Sequence, residues 1–141
     1  MISMDIEKEI ESKYTELQMV SQQMKQMQKQ IVLLNHQLLE LTALMQSLSE
    51  LKEVKEGNEI MISFGNGIFA RAVIKDSKEL LVNVGAGVVV KKDVDGTKQL
   101  VQQQAEEIKG VHEQMINEIK SMYEHASSLE DEINKLAKKL G

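Results

Sequence analysis

The stretch VNVGAGVVVKK (82–92) repeats the plan of ISFGNGIFARA (62–72), twenty residues earlier. Each places a Gly-x-Gly turn between two apolar runs. A phosphate cradle begins this way, but it needs Gly-x-Gly-x-x-Gly opening a helix, so that helix N–H groups face the anion. Here Val90 stands where the third glycine belongs, and Val88-Val89-Val90 is a β-type run. No Gly-Lys-Ser/Thr follows either turn. The glycines therefore read as turn residues. Asn66-Gly67 is a strong hairpin signal, because both residues accept positive φ. EIMISF, IFARAVI, LLVNV and VVVKK are then four strands in two tandem hairpins, joined by Asp76-Ser77-Lys78-Glu79. Phe64, Gly65, Gly67, Ile68 and Phe69 are echoed at Val84, Gly85, Gly87, Val88 and Val89, which is the mark of an internal duplication.

Outward from the hairpins the period changes. Before Gly57 the chain has neither Gly nor Pro, and apolar residues step by three and four alternately: Leu17, Val20, Met24, Met27, Ile31, Leu34, Leu38, Leu41, Met45 and Leu48. Ile10 and Ile6 keep the phase, while Lys13 breaks it once. After the hairpins the same beat runs through Val94, Val101, Ile108, Met115, Met122, Leu129 and Leu136, with Lys98 and His112 as polar seam positions. A sustained 3.5-residue period marks a coiled-coil seam. The two helices match in length, the first running roughly 70 Å at ~1.5 Å per residue. An antiparallel hairpin within one chain is the simplest pairing, with residue 48 meeting the region near 98. Ser3 is the expected N-cap of the first helix, and Asp93 or Asp95 of the second. Gly110 falls on an outer face.

The fold class expected is α+β: a long antiparallel helical hairpin with two tandem β-hairpins inserted between its helices. One subunit is expected over 1–141, made of an N-terminal coiled-coil helix (1–56), a double-hairpin oligomerisation insert (57–92) and a C-terminal coiled-coil helix (93–141). Four short strands with open edges are an aggregation liability unless paired. Ile60, Ile62, Phe64, Ile68, Val82, Val84, Val88 and Val90 are therefore expected to pair with other subunits, by strand addition or barrel closure.

Composition narrows the function. Aromatic residues make up 3% of the chain and charged ones 28%, and there is no Pro, Trp or Cys. Disulfides, thiol catalysis and Cys-ligated zinc are excluded. A net charge of −5 disfavours broad binding to phosphate backbones, so no nucleic-acid partner is expected. No apolar run approaches a membrane span and no signal peptide is visible, so the chain reads as soluble and cytoplasmic. His112 opens VHEQM, but Ile116 occupies the second His position of a zinc-protease motif. His112 reads as a register-setting seam residue, while His36 and His125 lie off the seam. No catalytic constellation, metal site or cofactor site emerges.

The helix, the tandem hairpins with Val82-Asn83-Val84-Gly85-Ala86-Gly87-Val88-Val89-Val90-Lys91, and the return helix together resemble prefoldin of the alpha type. The resemblance covers nearly the whole chain. The first hairpin departs from the usual alpha pattern, which more often has a Pro upstream and Ala between the glycines. The resemblance implies a heterohexamer with beta-type subunits, a double β-barrel body built from the inserts, and projecting arms. It implies an ATP-independent holdase that captures unfolded proteins at the arm tips and delivers them to a group II chaperonin. Ile2, Ile6 and Ile10 of one helix, with Leu129, Ile133, Leu136 and Leu140 of the other, are the candidate client-binding residues, because helix ends fray below the break at Lys13. The alternative is an architectural subunit of a prefoldin-like scaffold or filament that binds no client.

Overall fold

The computed structural model describes residues 2–141. The elements run α1 (Ile2–Glu53), β1 (Glu59–Gly65), β2 (Ile68–Val73), β3 (Glu79–Gly85), β4 (Val88–Asp93) and α2 (Val94–Leu140). They form two compact units. One comprises the residues up to Gln37 together with Ile108–Gly141; the other is Leu38–Glu107.

The first unit is a pair of antiparallel helices. Side chains that meet across it climb in number along α1 as they fall along α2: Lys13 with Glu132, Glu16 with His125, Gln28 with Tyr123. Val20, Met24, Ile119 and Leu129 are buried between them. Ile6, Ile10, Leu17, Met27, Ile31 and Leu34 are half-buried on α1, as are Ile108, Met115, Met122, Ala126, Ile133 and Leu136 on α2. These are the positions of the seven-residue pattern, so apolar periodicity alone sets the face each helix buries. α1 is already helical at Ile2, which places Ser3 inside the helix instead of at its cap.

The second unit holds the helix roots and both hairpins. Its core is Leu48, Val94 and Val101, with Leu41, Met45, Leu51 and Leu80 packed around them. Asp93 ends β4 and caps α2 directly. Its carboxylate accepts the Gly96 N–H at 2.7 Å, and its carbonyl accepts the hydroxyl of the buried Thr97 at 2.7 Å. Asp95, the other expected cap, instead pairs with Lys52 at 2.6 Å. Between α1 and β1 the chain turns at Gly57, whose N–H bonds the Ile74 carbonyl at 2.8 Å and ties the base of the first hairpin.

The strands form two separate two-stranded antiparallel sheets, β1–β2 and β3–β4. The duplication extends to the hydrogen-bond register. Ile62 faces Ala70 and Ser63 faces Phe69 in the first, while Val82 faces Val90 and Asn83 faces Val89 in the second. Both ladders slip at the same place, between Ser63 and Gly65 and between Asn83 and Gly85. At that bulge the glycine N–H is taken by the side chain two residues before it, Ser63 Oγ at 3.3 Å or Asn83 Oδ1 at 2.9 Å. The turn residues Asn66-Gly67 and Ala86-Gly87 all have positive φ, as a type I′ turn requires.

Two expectations follow. Ala86 holds φ 52°, a conformation that Asn tolerates and Ala resists. Ala86→Asn is expected to stabilise the second hairpin by up to about 1 kcal/mol, and Asn66→Ala to weaken the first by a similar amount. Amide hydrogen exchange of the strand residues reads both. Gly110 sits mid-helix in α2 with open space where a Cβ would project. Gly110→Ala is expected to raise stability by about 0.5–1 kcal/mol, seen as a melting midpoint a few degrees higher by circular dichroism.

Candidate functional site

Two sets of residues were expected to act: the ends of the helical arm and the faces of the hairpins. At the arm end the seven candidates separate by burial. Ile2 is 78% exposed and Leu140 is exposed as well, whereas Leu129 is 3% exposed, the most enclosed of the described residues. Ile6, Ile10, Ile133 and Leu136 are half-buried in the seam. Only the outermost pair of the seven is presented to solvent. Exposed apolar groups that the seam pattern does not mark lie beside them: Met4, Tyr14 and Met19 on α1 and Tyr123 on α2. Val32 and Leu33 are also exposed on this unit. The signal for these two was in the sequence, since apolar residues at outer heptad positions have no seam to fill, but a reading confined to the a and d positions passes over them.

The break at Lys13 is bridged. Its ammonium lies 2.7 Å from the Glu132 carboxylate of α2. The hydrogen bond to Glu132 raises the Lys13 pKa above its ordinary value, and the bond from Lys13 lowers that of Glu132. One helical turn on, His125 Nε2 lies 2.9 Å from Glu16 Oε1. The seam is thus interrupted by a polar pair in place of an apolar one, at the level just inside the frayable ends. His112 is half-buried on the seam face of α2, and Ile116 beside it is half-buried too.

On the hairpins, Ile62, Phe64, Ile68, Val84 and Val88 are exposed, and Ile60, Val82 and Val90 are half-buried. The opposite faces are mixed: Met61, Phe69, Val73, Leu81 and Val89 are exposed there, paired with or beside Glu59, Ser63, Arg71, Glu79, Asn83 and Lys91. Register explains the pattern: Ile60 pairs with Ala72 and Ile62 with Ala70, so the first hairpin carries one continuous apolar face, while in the second Val82 pairs with Val90 but Leu80 with Lys92. Among the described residues no group of three or more His, Asp or Glu side chains converges as a metal site, and no helix is long and apolar enough to cross a membrane.

The Lys13–Glu132 pair makes a pH-dependent contribution with a definite sign. The depressed Glu132 adds stability above its ordinary value of 4.5, and this is lost as pH falls through its lower folded value. The raised Lys13 adds stability below 10.5, lost as pH climbs through its higher folded value. Both side chains reach solvent, so the effect is small. Lys13→Leu is expected to remove both dependences while raising the melting midpoint at neutral pH, because it restores the apolar d position. Thermal melts at pH 3, 7 and 11 check this.

The sequence matches the family described as "Prefoldin subunit" over residues 20–139, most of the chain. The fold is similar to that in the cryo-EM structure of filamentous PFD from Methanocaldococcus jannaschii, with a TM-score of 0.71, 15% sequence identity, and coverage of 84% of this chain and 95% of that one. No curated protein matches the sequence. Helix, tandem hairpins and return helix, together with that match, establish that the chain belongs to the prefoldin family, chaperone and scaffold proteins whose subunits assemble with one another.

Proposed function

We propose that this chain is an alpha-type prefoldin subunit working in the cytoplasm as part of an ATP-independent holdase. Its hairpins pair with those of beta-type subunits, closing β-barrels in a heterohexamer. Its arm ends hold unfolded proteins and deliver them to a group II chaperonin. The presence of two hairpins supports the alpha assignment, in keeping with the sequence resemblance.

The observation that carries the holdase reading is the exposure of Ile2, Met4, Tyr14 and Met19 on an arm whose seam is otherwise filled. Met is flexible and polarisable, and an unbranched thioether adapts to many apolar shapes. A holdase needs that tolerance, because its clients share no sequence, only exposed apolar surface. Leu129 and its buried neighbours then serve as the clamp that keeps the two helices together, and Ile6, Ile10, Ile133, Leu136 and Leu140 add contact area when the ends part.

The test uses the complex assembled with a beta-type prefoldin subunit, its stoichiometry read by native mass spectrometry. Light scattering then follows a chemically denatured client diluted into buffer without nucleotide. The wild-type complex is expected to suppress aggregation. Ile2→Ser, Met4→Ser and Met19→Ser combined are expected to cut suppression several-fold while helicity and assembly stay intact. Full suppression by that variant would remove the arm ends from client binding. An assembled wild-type complex with no suppression at all would favour the architectural reading.

A further inference from the structure

The chain has two tyrosines, Tyr14 on α1 and Tyr123 on α2, and no tryptophan. Both are open to solvent, at 54% and 53% exposure. Neither belongs to the seven-residue seam pattern, so neither is needed to hold the helices together. The antiparallel pairing nonetheless brings them to one place. Both line an open groove of about 400 Å³ on the flank of the helix pair, within the range of ligand-sized clefts. Apolar surface in it comes from Leu17, Met24 and Ala126. Gln28 of α1 donates a hydrogen bond to the Tyr123 hydroxyl at 3.1 Å, which ties that ring across the two helices.

The groove has one charged wall, Glu130. Among the described residues its carboxylate has no ion-pair partner, whereas Glu132 is bridged by Lys13 and Glu16 is bonded to His125. Neither span that builds the groove, 14–24 or 123–130, contains Lys or Arg. Of the lysines beside the first span, Lys13 is held by Glu132 at 2.7 Å and Lys25 is not among the groove walls. The face of an aromatic ring is the negative side of its quadrupole. Two tyrosines, an unpaired carboxylate and apolar surface therefore meet in one open groove, and its electrostatics favour a cation.

We propose that this groove binds an arginine side chain of a polypeptide held by the arm. A guanidinium is planar and weakly hydrated, so it stacks on tyrosine while its N–H groups bond a carboxylate. Its methylene stem lies along apolar surface, which Leu17, Met24 and Ala126 supply. Lysine fits less well, because its ammonium is compact and strongly hydrated. An acidic side chain meets Glu130 and is repelled. The groove thus selects among apolar segments, and those that carry arginine are held more tightly than neutral or acidic ones. The site stands on the groove itself; its use on clients rests on the holdase reading.

Peptide binding to the full chain tests it. The probes are short dye-labelled peptides that differ at one central position between leucines: arginine, its uncharged isostere citrulline, or glutamate. Fluorescence anisotropy gives the affinities. NMR of the chain carrying carbon-13-labelled tyrosine gives the location, since both of its tyrosines line the groove. The arginine peptide is expected to shift both ring signals and to bind roughly 5- to 10-fold more tightly than the citrulline peptide, with the glutamate peptide weakest. Glu130→Gln is expected to bring the arginine peptide down to the citrulline level. Tyr123→Leu is expected to weaken the arginine peptide several-fold and leave the citrulline peptide unchanged. Circular dichroism checks the helices of each variant, and the arginine–citrulline comparison on the wild type needs no variant at all. Equal binding of the three peptides, ring signals that do not move, or a Glu130→Gln chain that keeps the arginine preference overturns the site. An arginine preference in a chain whose assembled complex suppresses no aggregation keeps the site and overturns the holdase function. Suppression without any arginine preference does the reverse.

Discussion

A two-stranded sheet has no interior. Each of the four strands has one hydrogen-bonded neighbour and one bare edge, and the side chains of both faces reach water unless something else covers them. Exposed Ile, Val, Leu and Phe side chains crowd these sheets, and in the proposed assembly other subunits cover them. The family membership and the proposed assembly both answer that constraint. So does the division of labour within the sequence: the long helices satisfy themselves by pairing with each other, whereas the hairpins cannot.

The pairing of the helices follows from a different economy. A coiled-coil seam needs only apolar residues at alternating steps of three and four, and it tolerates a few polar interruptions. Lys13 is tolerated because Glu132 lies within reach across the seam and both side chains remain partly in water. His112 is tolerated as a half-buried member of the seam face. Buried aromatic rings are not required, and a composition nearly free of them is the natural result.

Much of this was legible in the sequence because its rules are local or periodic. Gly-x-Gly spacing with a constant offset identified two equivalent hairpins; the bulge they share emerged only from the strand register. The heptad pattern picked out the buried face of both helices residue by residue. What escaped depended on side chains choosing between near-equal local partners, or on depth along the seam. Asp93 and Asp95 are both acidic and two residues apart; only the geometry of the strand end puts Asp93 on the Gly96 N–H and leaves Asp95 to Lys52. Leu129 and Leu140 occupy seam positions of one pattern, yet one is enclosed and the other exposed, because the last turn has no further layer to cover it. Periodicity gives a direction and carries no information about where a stack of layers ends.

The capping role of Asp93 also has a mechanical side. β4 passes into α2 with no intervening residue, and the junction is held by backbone continuity and two short hydrogen bonds. The other root is built differently: residues 54–58 separate α1 from β1, with Gly57 at the bend. One root is unbroken backbone and the other a turn pinned by paired hydrogen bonds, Gly57 N–H to the Ile74 carbonyl and Ile74 N–H to the Asn58 carbonyl. Torsion applied to the second hairpin passes along the chain into the first turn of α2, while at the first hairpin it meets those hydrogen bonds before it reaches α1.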